Sequence, residues 1–377
     1  MLKAVELFAG IGGFRIACDR LGIKTIWAND IDRKACEVYR TYFGDTTIHE
    51  GDIRELKGQV PCHDILTAGF PCQPFSGAGK KQGIRDPRGT LFQEIVDVIT
   101  KCNPKTFLLE NVRRLLSMEN GQHFATILDT FSSLGYLIEW RLLNALDFGL
   151  PQNRERVVII GTKNGQSPVS HLLTAIDSMS IPGEISNKFL EPFSWAPINE
   201  HPCNFSNWGI ALDGHFLSCE IDTFSDKKNH NRLTDILEES VDLSFDFTQD
   251  TINRLPNSQM VNKIVNGVEI LYNQSGGARM GYTIFGTSGI APTLTSSTSR
   301  HYERYFIDGK YRRLTNIEYA RLQGFNDNHC KGASVYDQYV LFGNAVPPPL
   351  VYWALERLVK NKSVVPKCMA IQLELFQ

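Results

Sequence analysis

The sequence predicts an α/β protein in which a sheet of buried strands is covered by helices on both faces and joined to a smaller, irregular domain of short strands and loops. Three observations carry this. From residue 1 to about 163, apolar stretches of strand length alternate with amphipathic helical stretches. After Gly165 the periodicity weakens and Ser, Asn, Asp and Pro become frequent, and residues 275–310 are rich in Gly, Ser and Thr and read as short strands and turns. Helical patterns then resume near Thr315 and Pro348. The expected units are therefore 1–164, 165–310 and a C-terminal segment 311–377, whose closing helix returns to the first unit.

The elements follow in order. "AVELFA" reads as a strand and "GGFRIACDRLG" as a helix stopped by Gly22; "IKTIWAN" is a strand and "DRKACEVYRTYFG" a helix beginning near Asp32. "TIHEGDI" is a short strand-like stretch. "DILTAGF" is a strand, "TLFQEIVDVITKCN" a helix, "KTFLLEN" a strand and "GQHFATILDTFSSLG" a helix. "YLIEWRLLNA" and a last strand, "ERVVIIGTK", complete the set. Continuous apolar strands separated by helices predict a parallel sheet buried on both faces. In "TNIEYARLQGF", Thr315 and Glu318 have the spacing of a capping box. The prolines of "PPPLVYWALERLVK" suit the first turn of a helix.

Composition excludes several classes. The 377 residues carry 42% hydrophobic and 21% charged residues and a net charge of -2, as in an ordinary globular protein. No apolar run approaches the roughly 18 residues that span a bilayer, and "MLKAVELFAGIGGF" reads as a strand and glycine turn rather than a signal peptide. Nine scattered cysteines without a C-x-x-C pair argue against a disulfide framework and a structural zinc site, so no metal is expected and the cytoplasm is the expected compartment. Positive charge is local: Lys80, Lys81, Arg85 and Arg88 stand against Asp86, and Arg300, Arg304, Lys310, Arg312 and Arg313 against Glu303 and Asp308.

Ligands of such sheets sit at the carboxyl ends of the strands, so the residues there are the candidates. Gly10, Gly12 and Gly13 directly follow the first strand, where a glycine turn admits a ligand close to the backbone. Asp30 ends the second strand and Asp52 the third stretch, placed to accept from ribose hydroxyls and an adenine amine. The spacing does not separate a dinucleotide from S-adenosyl-L-methionine, although G-x-G-G lacks the full pattern for a diphosphate. Cys72 follows "DILTAGF", Glu110 ends "FLLEN", and Arg154 and Arg156 open "PQNRERVVII". A thiolate stabilised by cations is a nucleophile, an acid leaving an apolar strand can hold its proton, and arginines two apart share a strand face. Each taken alone also fits a bland structural role: a buried small side chain, a salt bridge from Glu110 to Arg113 or Arg114, and surface arginines.

"ELFAGIGGF", "AGFPCQPFS", "RGTLFQEI", "LLENV", "PQNRERVVIIG", "ARLQGF" and "LFGNAVPPPL" occur in this order, and the set resembles the DNA (cytosine-5)-methyltransferase family over about 1–163 and 311–357. The resemblance implies a Rossmann-like sheet that binds S-adenosyl-L-methionine, released as S-adenosyl-L-homocysteine, and a target-recognition domain inserted after it. It implies that the target base is flipped out of double-stranded DNA. Cys72 matches the nucleophile that adds to C6 of cytosine, so that C5 attacks the sulfonium methyl. Glu110 matches the acid at N3, and Arg154 the arginine supporting base and thiolate, leaving Arg156 to structure or phosphate. Phe8, Gly10 and Gly12 match the loop around the methionine part. Asp30 matches the ribose acid, Asp52 the adenine acceptor, with Ile53, Leu91 and Asn344 lining the pocket. Ile31 departs from the pattern, standing where a larger aromatic is common.

The basic glycine-rich run 76–89 resembles a loop that closes over DNA, with Lys80, Lys81, Arg85 and Arg88 meeting phosphates. Gln73 and Ser76 are candidates near the flipped base, and Arg279, Arg300, Tyr302 and Arg304 for base-edge readout. "TLTSSTSRHYERY" reads equally well as a hydroxyl-rich strand pair with no readout role. The compact length resembles bacterial or phage modification enzymes, which implies protection of DNA beside a restriction endonuclease encoded nearby; a monomer is expected, because flipping one base needs one active site and the sequence shows no obvious association surface. Two rival functions stand beside this one: a cytosine-5 methyltransferase acting on transfer RNA, and a catalytically silent DNA-binding protein on the same scaffold. The target sequence is not legible.

Overall fold

The computed structural model describes residues 1–44, 46–71, 91–163, 168–175, 177–221, 231–253, 258–274, 283–296 and 303–365. Ten strands form the larger sheet: β1 (Lys3–Leu7), β2 (Lys24–Asp30), β3 (Ile48–Glu50), β4 (Ile65–Gly69), β5 (Thr106–Val112), β6 (Leu137–Asn144), β7 (Glu155–Thr162), β8 (Ala196–Pro197), β9 (Trp208–Leu212) and β10 (His215–Cys219). Their order is β3-β2-β1-β4-β5-β7-β6-β9-β10-β8.

The first five in that order are parallel. The expectation of an all-parallel sheet fails at β7, which lies antiparallel between β5 and β6. The cause is chain length. Parallel neighbours need a crossover of a dozen or more residues, usually a helix, and β6 reaches β7 through only 145–154. A second difference is extent, since "ERVVIIGTK" is not the sheet's last strand. β9 pairs with β6, and β10 and β8 follow, so chain beyond residue 165 extends the larger sheet. Gly209 permits this pairing, as a Cβ there would lie 2.1 Å from the Trp140 ring.

Period-two alternation assigns the two faces. Val5, Leu7, Leu66, Ala68, Phe107, Leu109, Val157 and Ile159 enter one core with Phe92, Ile95, Phe124 and Phe131. Ala4, Ile65, Leu108, Val158 and Ile160 enter the other with Phe14, Ala17, Leu350 and Leu355. The covering helices are α1 (Gly13–Arg20), α2 (Arg33–Phe43), α3 (Ile53–Leu56), α4 (Leu91–Cys102) and α5 (Gln122–Ser133). Asp32 caps α2, accepting from the amides of Lys34 and Ala35.

Short helices α6 (Asp177–Ser180), α7 (Gly183–Lys188) and α8 (Gln249–Asn253) lead to a second sheet. It comprises β11 (Ser258–Val265), β12 (Val268–Gln274), β13 (Thr283–Phe285), β14 (Arg304–Ile307) and β15 (Lys310–Arg312), in that order. Phe285, Tyr305 and Ile307 of this sheet share a core with α9 (Asn316–Leu322) and α10 (Val335–Asn344). Thr315 and Glu318 form the expected capping box on α9. α10 was not expected. α11 (Pro348–Val359) begins on the prolines and packs against α1. Among the described residues no helix is long and apolar enough to cross a membrane.

Candidate active site

A cavity of about 780 Å³ opens at the carboxyl ends of β1, β2, β4 and β5. β1 hydrogen-bonds to β2 on one side and β4 on the other. This reversal of strand order is where open α/β sheets leave a crevice for ligands.

On the β1–β2 side the wall is a turn with three positive φ angles, at Phe8 (54°), Gly10 (53°) and Gly12 (85°). The left-handed region suits glycine and is rare for a residue such as Phe8. Asp30 holds the turn, its carboxylate accepting from the amides of Gly10 at 2.7 Å and Asp32 at 2.8 Å. Burial raises its pKa and those amides oppose the rise. Asn29 donates to the carbonyls of His49 and Gly51, fixing the β3 loop against β2. Asp52 caps α3 and pairs with Arg54 at 3.1 Å. Ile31 lines the cavity while 69% exposed, an uncovered apolar surface at its lip. Gly13 faces Val346: a Cβ at Gly13 would lie 2.3 Å from its carbonyl oxygen. Ile53, Leu91 and Asn344 line the same space. Paired acids at strand ends, a close backbone turn and an exposed aliphatic side chain fit an adenosine carrying a methionine chain.

On the β4–β5 side stands Glu110, 7% exposed. Burial raises its pKa, and the Arg156 and Arg154 charges pull it down. Arg156 Nε is 2.9 Å from Glu110 Oε1, and its Nη1 donates to the Glu155 carbonyl at 2.7 Å. The antiparallel direction of β7 explains the meeting: its first residues lie at the edge where the parallel strands end. Arg113, one of the partners open to Glu110 on sequence, pairs instead with Glu155 at 2.9 Å.

Arg154 does a different job. Only 1% exposed, it donates to the carbonyls of Leu294 (3.1 Å), Gly343 (3.0 Å) and Ala345 (3.0 Å). Its Nε has no hydrogen-bond partner among the described residues, and burial pushes its pKa down to about 9. Within the protein, then, Arg156 contacts the acid and Arg154 ties the chain around the cavity, and both line it.

Cys72, Gln73, Ser76, Lys80, Lys81, Arg85, Arg88, Arg279, Arg300 and Tyr302 lie outside the described residues. Pro71, immediately before Cys72, lines the cavity with Glu110. Arg304 lies on β14 with its guanidinium 5.9 Å from the Phe247 ring centre. Sequence reasoning missed Asn111, which donates to the Phe70 carbonyl at 3.0 Å and so fixes backbone two residues before Cys72. It missed Gln152, which donates to the Leu322 carbonyl and accepts from the Leu294 amide. It also missed the 293–296 wall those contacts hold in place. Both side chains stood inside quoted motifs, but partners up to 170 positions away leave no local trace.

The sheet order and cavity define an α/β protein whose ligand crevice carries Asp30 and Asp52 on one wall and Glu110 on the other. Among solved structures, the chain resembles a Dnmt2 methyltransferase of S. pombe, with a TM-score of 0.63, 18% identity, and 96% of this chain and 99% of that one covered. A putative DNA modification methyltransferase encoded within a prophage of E. coli gives a TM-score of 0.55 at 20% identity, covering 96% and 99%. These likenesses show the methyltransferase fold. The profile of C-5 cytosine-specific DNA methylases matches residues 2–360, and the chain belongs to that family. It is 33% identical to the type II methyltransferase M1.ScrFI of Lactococcus lactis subsp. cremoris, over 95% of this chain and 78% of that one. It is 31% identical to the type II methyltransferase M.HhaI of Haemophilus parahaemolyticus, over 92% and 90%. The protein is a DNA (cytosine-5)-methyltransferase that uses S-adenosyl-L-methionine.

Proposed function

We propose that the β4–β5 side of the cavity receives a cytosine flipped from duplex DNA, with Cys72 as nucleophile and Glu110 as acid. The observation that carries this is Glu110, buried in the cavity wall near Pro71 and held by Arg156 at 2.9 Å. The Cys72 thiolate forms a bond to C6 while Glu110 gives its proton to N3, so the electrons of the C5–C6 double bond become available at C5. The Phe8–Gly12 turn, Asp30, Ile31 and Asp52 would hold S-adenosyl-L-methionine, which would supply the electrophilic methyl group that C5 takes, with S-adenosyl-L-homocysteine as the other product. A base then takes the C5 proton, the Sγ–C6 bond breaks, the double bond returns, and the N3 proton goes back to Glu110. Burial favours the protonated acid and Arg156 the ionised one, which keeps both states accessible as the proton moves.

Recognition of the target falls to the chain beyond the larger sheet, from about 231 through β15, with Arg279 and Arg300 among its readers. Lys80, Lys81, Arg85 and Arg88 of the basic run 76–89 are its candidates for phosphate contact, and Gln73 and Ser76 its candidates for contact with the base. We place the enzyme in the cytoplasm as a monomer, protecting DNA beside a cognate restriction endonuclease. A duplex with 5-fluorocytosine at every cytosine tests the chemistry. Fluorine cannot leave as the C5 proton does, so wild type with cofactor should form a denaturant-resistant protein–DNA adduct and Cys72→Ser none. An adduct in both would exclude Cys72.

A further inference from the structure

Beside the cavity runs a shallower groove of about 240 Å³. Val112, Arg156 and Thr293 line both spaces, and Arg113, Arg114, Asn153 and Glu155 complete the groove. Three arginines and one acid thus line the groove. Their commitments differ. Arg156 is held by Glu110 inside the cavity. Arg113 pairs with Glu155, but with 64% of its side chain exposed, and such a pair in high dielectric exchanges readily for another anion. Arg114 is exposed, and among the described residues its side chain has no hydrogen-bond or ion partner. Thr293 donates its hydroxyl to the Asn153 carbonyl, which fixes the far wall.

We propose that this groove holds a backbone phosphate of the DNA strand carrying the extruded cytosine, with Arg114 as its main cation and Arg113, released from Glu155, as the second. The inference rests on the cavity taking the base. A nucleotide whose base fills the cavity keeps its own phosphates at the mouth, and the shared wall of Val112, Arg156 and Thr293 is that mouth. Arginine matches a phosphodiester because its planar fork offers two parallel donors. The contact positions the strand and carries no sequence information. Arg114 is therefore a positioning residue.

The test is equilibrium binding, across a salt series, of a duplex carrying the cytosine context that base-resolution mapping of methyl transfer identifies, by wild type, Arg114→Gln, Arg114→Lys and Glu155→Gln, with cofactor affinity as the control for folding. Each phosphate neutralised contributes about 0.9 to the slope of log K against log salt. Arg114→Gln should flatten the slope by about that amount and weaken binding about eightfold at 0.1 M salt. Arg114→Lys should restore most of both. Glu155→Gln should tighten binding by removing the competing carboxylate. An unchanged slope in Arg114→Gln, with wild type still forming the 5-fluorocytosine adduct, overturns the groove assignment alone. A wild type that forms no adduct overturns the base-cavity reading beneath it.

Discussion

Replacing Arg156 with Gln removes the cation 2.9 Å from a nearly buried carboxylate. Breaking one side of a buried pair costs about 3–5 kcal/mol when the remaining charge is stranded. Glu110 has an escape, because it can take a proton. For a carboxyl with an ordinary pKa of about 4.3, holding that proton at pH 7 costs about 3.7 kcal/mol, at about 1.36 kcal/mol per unit. Burial has already raised the native Glu110 above that ordinary value, so the loss at pH 7 should be smaller than about 3.7 kcal/mol. The sign follows from linkage. Without Arg156 the folded-state pKa rises further above the unfolded one. The folded state then binds more protons than the unfolded chain, and stability falls as pH rises through the folded pKa. The difference between variant and wild type should therefore be smallest at pH 5 and grow by up to about 1.36 kcal/mol per pH unit toward pH 8. Urea denaturation of both chains at pH 5, 6, 7 and 8 reads this directly. A difference constant across that range would refute the pairing of Arg156 with an ionisable Glu110.

The remaining predictions use the same walls. Glu110→Gln keeps a donor near N3 but has no proton to give, so methyl transfer should fall about 10²–10⁴-fold, while calorimetric cofactor affinity stays at the wild-type value. Gly13→Ala would press a Cβ to 2.3 Å of the Val346 carbonyl oxygen. A melt should show a loss of about 1–3 kcal/mol, and cofactor titration weaker binding. Ile31→Trp should give the adenine a stacking face worth about 1 kcal/mol, seen as roughly fivefold tighter S-adenosyl-L-methionine binding. Asn111→Ala frees the Phe70 carbonyl beside Cys72, and single-turnover methyl transfer should slow more than DNA binding weakens.

Much of this site was legible because its parts are local. The glycines and Asp30 occupy the ends of successive strands, and the Asp32 and Thr315–Glu318 caps are set by spacings of two and three residues. What escaped was long-range pairing. The apolar stretch that forms β7 looks the same in either direction, and only the brevity of 145–154 makes it antiparallel. Trp208–Leu212 lies in a stretch of weak periodicity, and nothing local in it names β6 as a neighbour. The hydroxyl-rich segment around Thr293 gave no sign that Gln152 and Arg154 would draw it into the cavity wall. The same blindness hid the Arg156–Glu110 contact and the three carbonyls that Arg154 holds.

The most direct test is transfer of labelled methyl from S-adenosyl-L-methionine to unmethylated duplex DNA, single-stranded DNA and transfer RNA, with base-resolution mapping and Cys72→Ala alongside. Label at cytosine C5 in one duplex context, absent from Cys72→Ala, is the predicted result. Label confined to transfer RNA, or undiminished in Cys72→Ala, would contradict the account.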